Sequence, residues 1–540
     1  MSDEGLGVLS SQHAFERIGF LDGERTITFG EFDALARKTA GWLAAHGIAR
    51  GDRVAVWLVN RIEWLALLFG AGRIGAAVVA INTRYRAAEV SYLLERSGAR
   101  LLVLQHNFRK IDFAAVLSEI ANPARSLERV AVVDADRATP EKILDRPVVA
   151  FDAFEAAVAP APAVTDADAI VAMFTTSGTT KGPKLVMHSQ RGIVAHARAV
   201  ATAMGLEEEG ACLLAALPFC GVFGFCGATA ALAAGAPLVL ADTFDAAEAV
   251  RLVHRHSVTH MFGSDEMYRR MLPLAPAHDP FPSARVFGYA AFNPGGEEFA
   301  RKGWGKRVPF FGLYGSSEVQ ALFSIQRADA PLDERIQGGG APVAGVKAEV
   351  RVRDVDTAQL LPAGKSGELE IRAPGNFAGY WNDPQATAQA IGSDGFFRTG
   401  DIGSVRGDGT FVYETRRGDA MRLAGFLVSP MEIEEVIKEH AGVADVQVVA
   451  VEIAGHARCV AFVIPAARGA ASEADVIAIA SRRLAAFKVP ARVWFVAEFP
   501  TTQSANGVKI QRGKLREMAL ANLKASSTKI SLNETYMRND

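Results

Sequence analysis

Apolar and polar positions along this chain follow two periods, and they alternate with each other. Thr28-Phe29-Gly30-Glu31 has the form of a capping box. After it, Phe32, Leu35, Ala36, Thr39, Trp42 and Leu43 fall on one helical face, and Gly47 is placed to end the helix. "RVAVWLV" (53–59) then reads as a buried strand, "EWLALLFGAGRIG" as a helix and "AAVVAIN" as another strand. Helix and strand in alternation predict α/β layers.

The run 211–241, "ACLLAALPFCGVFGFCGATAALAAGAPLVLA", has no charged residue. Its length admits a membrane span, which needs about 20 apolar residues. Pro218, Gly221, Gly224, Gly227, Gly235 and Pro237 interrupt it, so the pattern favours buried strand, loop, short helix and buried strand. "AAVAPAPAVTDAD" (156–168) reads as a linker. Near the other end, Ser429-Pro430-Met431-Glu432 puts Ser at an N-cap, Pro at the first helical position and Glu at the third. "VADVQVVAVEI" and "CVAFVIP" then alternate as strands, which predicts a small α+β domain of about 120 residues. The polar end, "KASSTKISLNETYMRND", is expected to be poorly ordered.

Composition adds limits. A chain of 540 residues exceeds one ordinary core, so two or more domains are expected. At 49% hydrophobic and 22% charged, with net charge −2, nothing suggests a nucleic-acid or anionic-membrane footprint. Cys212, Cys220, Cys226 and Cys459 form no CxxC pair, which fits free thiols in a reducing, cytoplasmic setting. "MSDEGLGVLSSQ" carries acids where a signal peptide has bases.

One stretch differs in texture. "FTTSGTTKGPKLVMHS" (174–189) is rich in Thr, Gly and Lys between apolar runs. Hydroxyls and backbone N–H groups at Thr176, Ser177, Gly178, Thr179 and Thr180 can surround a polyanion, and Lys184 supplies a point charge. It is not a P-loop: Gly178 and Gly182 are one residue too close, and Leu185 stands where a hydroxyl should be. His188, beside it, reads as a structural residue at a strand end.

With four later motifs, this loop resembles the signature of the adenylate-forming superfamily of acyl-CoA synthetases, nonribosomal-peptide adenylation domains and luciferases. "LYGSSE" (313–318), "FRTGD" (397–401), "RRGDAMRLAGFLVSPMEIE" (416–434), and "FKVP" (487–490) with "FPTTQSANGVKIQRGKLR" (499–516) follow in the family's order. The resemblance implies a large N-terminal domain of layered α/β sheets, residues 1–417, and a small α+β C-terminal lid, residues 418–540. It implies a carboxylate attacking the α-phosphate of ATP to give an acyl-adenylate and pyrophosphate, followed by displacement of AMP by a thiol, usually that of CoA.

By the same resemblance, Lys509 is the catalytic lysine, and Glu318 with Thr179 serves Mg²⁺. Asp401 and Arg416 serve the ribose. Tyr314, Gly315, Ser316 and the turn Gly288, Tyr289, Ala290 lie at the adenine. Gly418 is the hinge and Gly425 a CoA contact. Cys220, Gly221, Phe225, Gly263 and Tyr289 line the acyl pocket, with Gly221, Gly224 and Gly263 leaving room. These assignments suit the chemistry: hard oxygen ligands for Mg²⁺, two acceptor oxygens for two ribose hydroxyls, and cations where charge develops.

The sequence departs from the family in places. Lys181 and Leu185 replace usual glycines, and one residue intervenes between Gly507 and Lys509. Gly221 stands where many members have His, Asp265 where proline is common, and Gly418 where an acid or lysine is common. Asp265 is a candidate for recognising an amine. The pocket segments hold no basic residue for a second carboxylate, so an apolar fatty or aromatic acid is expected. Three alternatives stay open: an enzyme loading a carrier protein, a non-catalytic nucleotide sensor, and a membrane component built on 211–241. The oligomer, monomer or homodimer, is open as well.

Overall fold

The computed structural model describes residues 5–536 except 110, 137, 156–165, 177–182, 291–295, 356, 417–420, 425, 429, 468 and 505–506. The expected linker therefore lies largely outside the described residues. The chain divides into two compact units, Met1–Thr176 with Lys184–Arg417, and Ser177–Pro183 with Gly418–Asp540.

The larger unit is built on a 14-stranded and a 9-stranded sheet. At the centre of the first, strands Leu238–Leu240, Leu213–Ala215, His260–Ser264, Val286–Ala290 and Phe310–Ser316 run parallel. From Gln320–Ile325 onward the order continues antiparallel through Gly339–Pro342, Phe411–Arg416 and Phe397–Val405. In the second sheet, Lys184–Ser189 pairs antiparallel with Ile170–Thr176 on one side and with Gly379–Tyr380 on the other. One continuous apolar core joins residues of both sheets, such as Phe20, Leu213 and Leu238 with Val54, Val78 and Val171. Helices Phe29–Ala45, Ile62–Ile74, Gln190–Ala203 and Val222–Ala234 contribute to that same core.

Local chemistry explains these elements. The Thr28 hydroxyl accepts from Glu31 N at 3.2 Å, and Glu31 Oε2 accepts from Thr28 N at 2.8 Å, so the expected capping box is formed. Helices Ile62–Ile74 and Val222–Ala234 both stop on a glycine in the left-handed region, Gly75 at φ +73° and Gly235 at φ +69°. The uncharged run 211–241 folds as strand Leu213–Ala215, helix Val222–Ala234 and strand Leu238–Leu240, inside the core. Among the described residues, no helix is long and apolar enough to cross a membrane.

In the smaller unit, Val443–Ile453, His456–Pro465 and Val493–Phe495 form one sheet. Helices Pro430–Lys438 and Glu473–Arg483 share a core with this sheet, through Ile433, Ile437, Val476 and Ala480. A second core joins Val449, Val451, Val460 and Phe462 to Leu515 and Ala519 of helix Arg512–Tyr536. That helix runs through most of the tail expected to be poorly ordered. Its first turns are anchored by buried Leu515 and Ala519, and propagation from an anchored turn costs less than nucleation.

Candidate active site

The hairpin made by Phe310–Ser316 and Gln320–Ile325 carries the "YGSSE" residues. Tyr314 is 7% exposed, with its ring edge-on to Phe411 at 5.2 Å. Its hydroxyl donates to Asp401 Oδ2 at 2.7 Å. Asp401 sits on Phe397–Val405, opposite Arg416 in the strand register, and is 3% exposed. Gly315 is close-packed: a Cβ there would lie 2.7 Å from the Cα of Ala321. The Ser316 hydroxyl is buried without a hydrogen-bond partner among the described residues. An unpaired buried hydroxyl is costly, so a ligand accepting or donating there would gain that free energy back.

The hairpin turn that bears Glu318 is held from several sides. Phe377 N donates to Glu318 O at 2.7 Å. His188 Nε2 donates to Ser317 O at 2.8 Å, and His196 Nε2 donates to Ala321 O at 2.8 Å. Gln320 Nε2 donates to Gly192 O at 3.1 Å and Gly375 O at 3.0 Å. Burial holds both histidines down to a pKa of about 4, so each is a neutral donor near pH 7. Tyr380 completes the arrangement. Its hydroxyl donates to Glu318 Oε1 at 3.0 Å, and Lys184 Nζ lies 4.5 Å from its ring centroid.

Around the expected adenine turn, Gly288 ends up against the neighbouring strand. A Cβ there would stand 2.7 Å from Leu313 Cδ1, which ties its smallness to packing. Tyr289 is buried and donates its hydroxyl to Ile336 O, and Ala290 ends the strand. The acyl-pocket candidates separate in the same way. Phe225 is fully buried between Phe174, at 4.9 Å, and Trp64, at 6.2 Å. A Cβ on Gly224 would meet the carbonyl oxygens of Leu217 and Pro218 at 2.5 Å, so this glycine permits close packing and opens no space. On Gly263 it would make ordinary contacts with Met267 and Tyr268 at 3.4 Å. On Gly221 it would meet Pro218 O alone, at 3.5 Å. Burial pushes the Cys220 thiol up to about 11, so it acts as a small apolar group near pH 7. Asp265 is fully buried, with Arg269 Nε 3.5 Å from its carboxylate, so it is engaged within the protein.

Ser177, Gly178, Thr179, Thr180, Gly418 and Gly425 lie outside the described residues. Thr176 pairs with Lys184 in the strand register at the mouth of that loop. For Arg416 and Lys509 the description covers the backbone, Lys509 standing opposite Thr502 in a two-stranded ribbon. Lys488 of "FKVP" is buried and donates to Glu432 Oε1 at 2.6 Å. Tyr380 and the clamp residues His196 and Gln320 are absent from the sequence-based candidates. The signal for Tyr380 was an aromatic in "FAGYWNDP" just before an Asp-Pro helix start, which by itself reads as core.

A two-sheet α/β unit with a carboxylate turn and a buried Tyr–Asp pair, and a small α+β unit, are what an adenylate-forming enzyme is built from. The chain belongs to the AMP-binding enzyme family, whose pattern matches residues 10–381, with the AMP-binding enzyme C-terminal domain at 432–506. It is 32% identical over 539 residues to a 3-hydroxybenzoate–CoA ligase of Aromatoleum sp. (strain CIB), covering 96% of this chain and 97% of that one. It is 27% identical to the medium-chain fatty-acid–CoA ligase of Escherichia coli (strain K12), over 93% of this chain and 88% of that one. Among solved structures, o-succinylbenzoate CoA synthetase of Bacillus subtilis superposes with TM-score 0.81 at 22% identity, over 95% of this chain and 98% of that one. Family and kinship together support an AMP-forming acid–CoA ligase.

Proposed function

We propose that this protein is an ATP- and Mg²⁺-dependent carboxylate–CoA ligase acting on an apolar aromatic or fatty acid. The acid is activated as an acyl-adenylate with release of pyrophosphate, and the CoA thiol then displaces AMP. What supports the reading is the convergence of three motifs far apart in sequence. Lys184, the Tyr314–Glu318 hairpin and Asp401 meet through hydrogen bonds and one shared tyrosine ring.

In this reading, Asp401 accepts from the ribose hydroxyls, and Tyr314 holds its carboxylate in orientation. The Thr176–Thr180 loop and Lys184 bind the phosphates. Gly288, Tyr289, Ala290, Gly315 and Ser316 flank the nucleotide, with the Ser316 hydroxyl available to it. Glu318, with Thr179, would hold Mg²⁺. The donor set fits a hard cation that takes few protein ligands: Glu318 offers an oxygen, Oε2, that accepts no hydrogen bond among the described residues. Bound Mg²⁺ supplies neutralisation of the polyphosphate. Lys509 stabilises charge between carboxylate and α-phosphate, and Arg416 assists at the ribose. Cys220, Gly221, Phe225, Gly263 and Tyr289 form the acyl side.

Residues 1–417 are the ATP- and acid-binding domain, and residues 418–540 are the lid with Lys509, hinged at Gly418 and touching CoA near Gly425. A cytoplasmic location belongs to the same proposal, supported by four buried free thiols. The test is a panel of aromatic and fatty acids assayed for acid-dependent pyrophosphate release, then for CoA-dependent thioester. Pyrophosphate release from no acid would remove the ligase reading. Adenylate without thioester would replace CoA with another acceptor.

A further inference from the structure

Tyr380 touches two groups that belong to separate motifs. Its hydroxyl donates to Glu318 Oε1 at 3.0 Å, and its ring face receives Lys184 Nζ at 4.5 Å from the centroid. The tyrosine itself is fixed. It pairs with Val186 in the sheet register, its N donates to Thr387 Oγ1 at 2.9 Å, and Phe377 packs on its ring at 4.9 Å. Trp381 N to Leu185 O at 2.9 Å and Ala378 N to Met187 O at 2.8 Å pin the chain on either side. The same segment holds the other partner, since Phe377 N donates to Glu318 O.

Glu and Lys side chains are long, and left alone each would sample many rotamers. Brought close, they would also pair with each other, and that pair would oppose both a cation on the carboxylate and a polyanion on the ammonium. Among the described residues, Lys184 and Glu318 form no ion pair. Each is instead held by a neutral partner, one through a hydrogen bond and one through a cation–π contact.

We propose that Tyr380 is a positioning residue for the metal–polyphosphate end of the nucleotide site, holding Glu318 through its hydroxyl and Lys184 through its ring. This rests on the reading of Glu318 and Lys184 given above. The two halves of the side chain make separable contributions. Tyr380→Phe keeps the ring and removes the donor, whereas Tyr380→Leu removes both.

The experiment is calorimetric binding of ATP to the full chain, without acid, in the presence and absence of Mg²⁺, with melting temperatures measured alongside. Glu318→Gln serves as the test of the premise. In Tyr380→Phe, the Mg²⁺-dependent gain in ATP affinity should fall about tenfold, the size expected for one hydrogen bond to a charged group. ATP binding without Mg²⁺ should stay at the wild-type value in that variant. Tyr380→Leu should also weaken Mg²⁺-free ATP binding by about 3-fold, as the ammonium loses its platform. If Glu318→Gln lowers the Mg²⁺ gain while Tyr380→Phe, folded as wild type, leaves it intact, the positioning role is overturned. If Glu318→Gln leaves the gain intact, the proposal falls through its premise, and Glu318 is not the metal residue. A Tyr380→Phe variant that weakens ATP binding equally with and without Mg²⁺ would also overturn it, since the hydroxyl would then act on the whole nucleotide.

Discussion

The Tyr314 hydroxyl donates to Asp401 Oδ2 at 2.7 Å across 87 positions of sequence. The two side chains are buried together, so the aspartate presents a fixed orientation and not a freely rotating carboxylate. Tyr314→Phe keeps the ring contacts with Phe411 and Tyr413 but releases Asp401. The KM for ATP should rise by about 3- to 10-fold, the equivalent of one hydrogen bond. Asp401→Ala should do more, and, with Asp401 proposed as the acceptor for the ribose hydroxyls, it should abolish discrimination between ATP and 2′-deoxy-ATP. Retained discrimination in that variant would show that Asp401 does not read the ribose.

Lys509→Ala should slow adenylate formation by about 10²-fold or more, the usual range for loss of one stabilising donor in a transition state. Thioester formation from supplied acyl-adenylate should survive if, as proposed, the lysine serves the first half-reaction. Normal acid-dependent pyrophosphate release would mean that another lysine fills this role.

Gly221 and Gly224 lie three positions apart and should respond in opposite ways. A Cβ on Gly224 faces two carbonyl oxygens at 2.5 Å, so Gly224→Ala should destabilise the fold by about 1–3 kcal/mol, as overpacking does. A Cβ on Gly221 makes one ordinary contact, with Pro218 O at 3.5 Å, so Gly221→Ala should fold normally and shift preference toward smaller acids. Denaturant midpoints and the acid panel decide the matter. Unchanged acid preference in Gly221→Ala would remove this residue from the acyl side.

Acid should destabilise the protein through buried histidines. Burial lowers His188, His196 and His260 to about 4, against about 6.5 in an unfolded chain. The native state keeps them neutral while the unfolded state takes up protons. Their contribution is therefore complete above about pH 6.5 and lost as pH falls toward 4, at about 1.4 kcal/mol per pH unit for each. His196→Gln retains an amide donor for Ala321 O but cannot titrate. Between pH 7.5 and pH 5, its unfolding free energy should fall less steeply than that of the wild type, by about one proton's worth. Equal slopes would mean that His196 does not carry the effect.

Much of this protein was legible in the order of its residues. The Thr28–Glu31 capping box, the end of its helix just before Gly47 at φ +82°, and the strand–helix–strand parse of 211–241 all follow from contacts within a few positions. Such features depend on backbone geometry and hydrophobic period, which a sequence carries directly. The family, too, was readable from five motifs in order. The partners of the candidate groups were not. Tyr380 meets Glu318 and Lys184 because strand Gly379–Tyr380 docks beside Lys184–Ser189, and Tyr314 meets Asp401 because two intervening strands bring Phe397–Val405 under the hairpin. Gly221 and Gly224 look alike in sequence, and only the carbonyls of Leu217 and Pro218 set them apart. A histidine becomes a neutral clamp or an exposed base by what surrounds it. Burial, strand order and side-chain partnership are properties of the assembled sheets, and they arise only when segments distant in sequence are packed together.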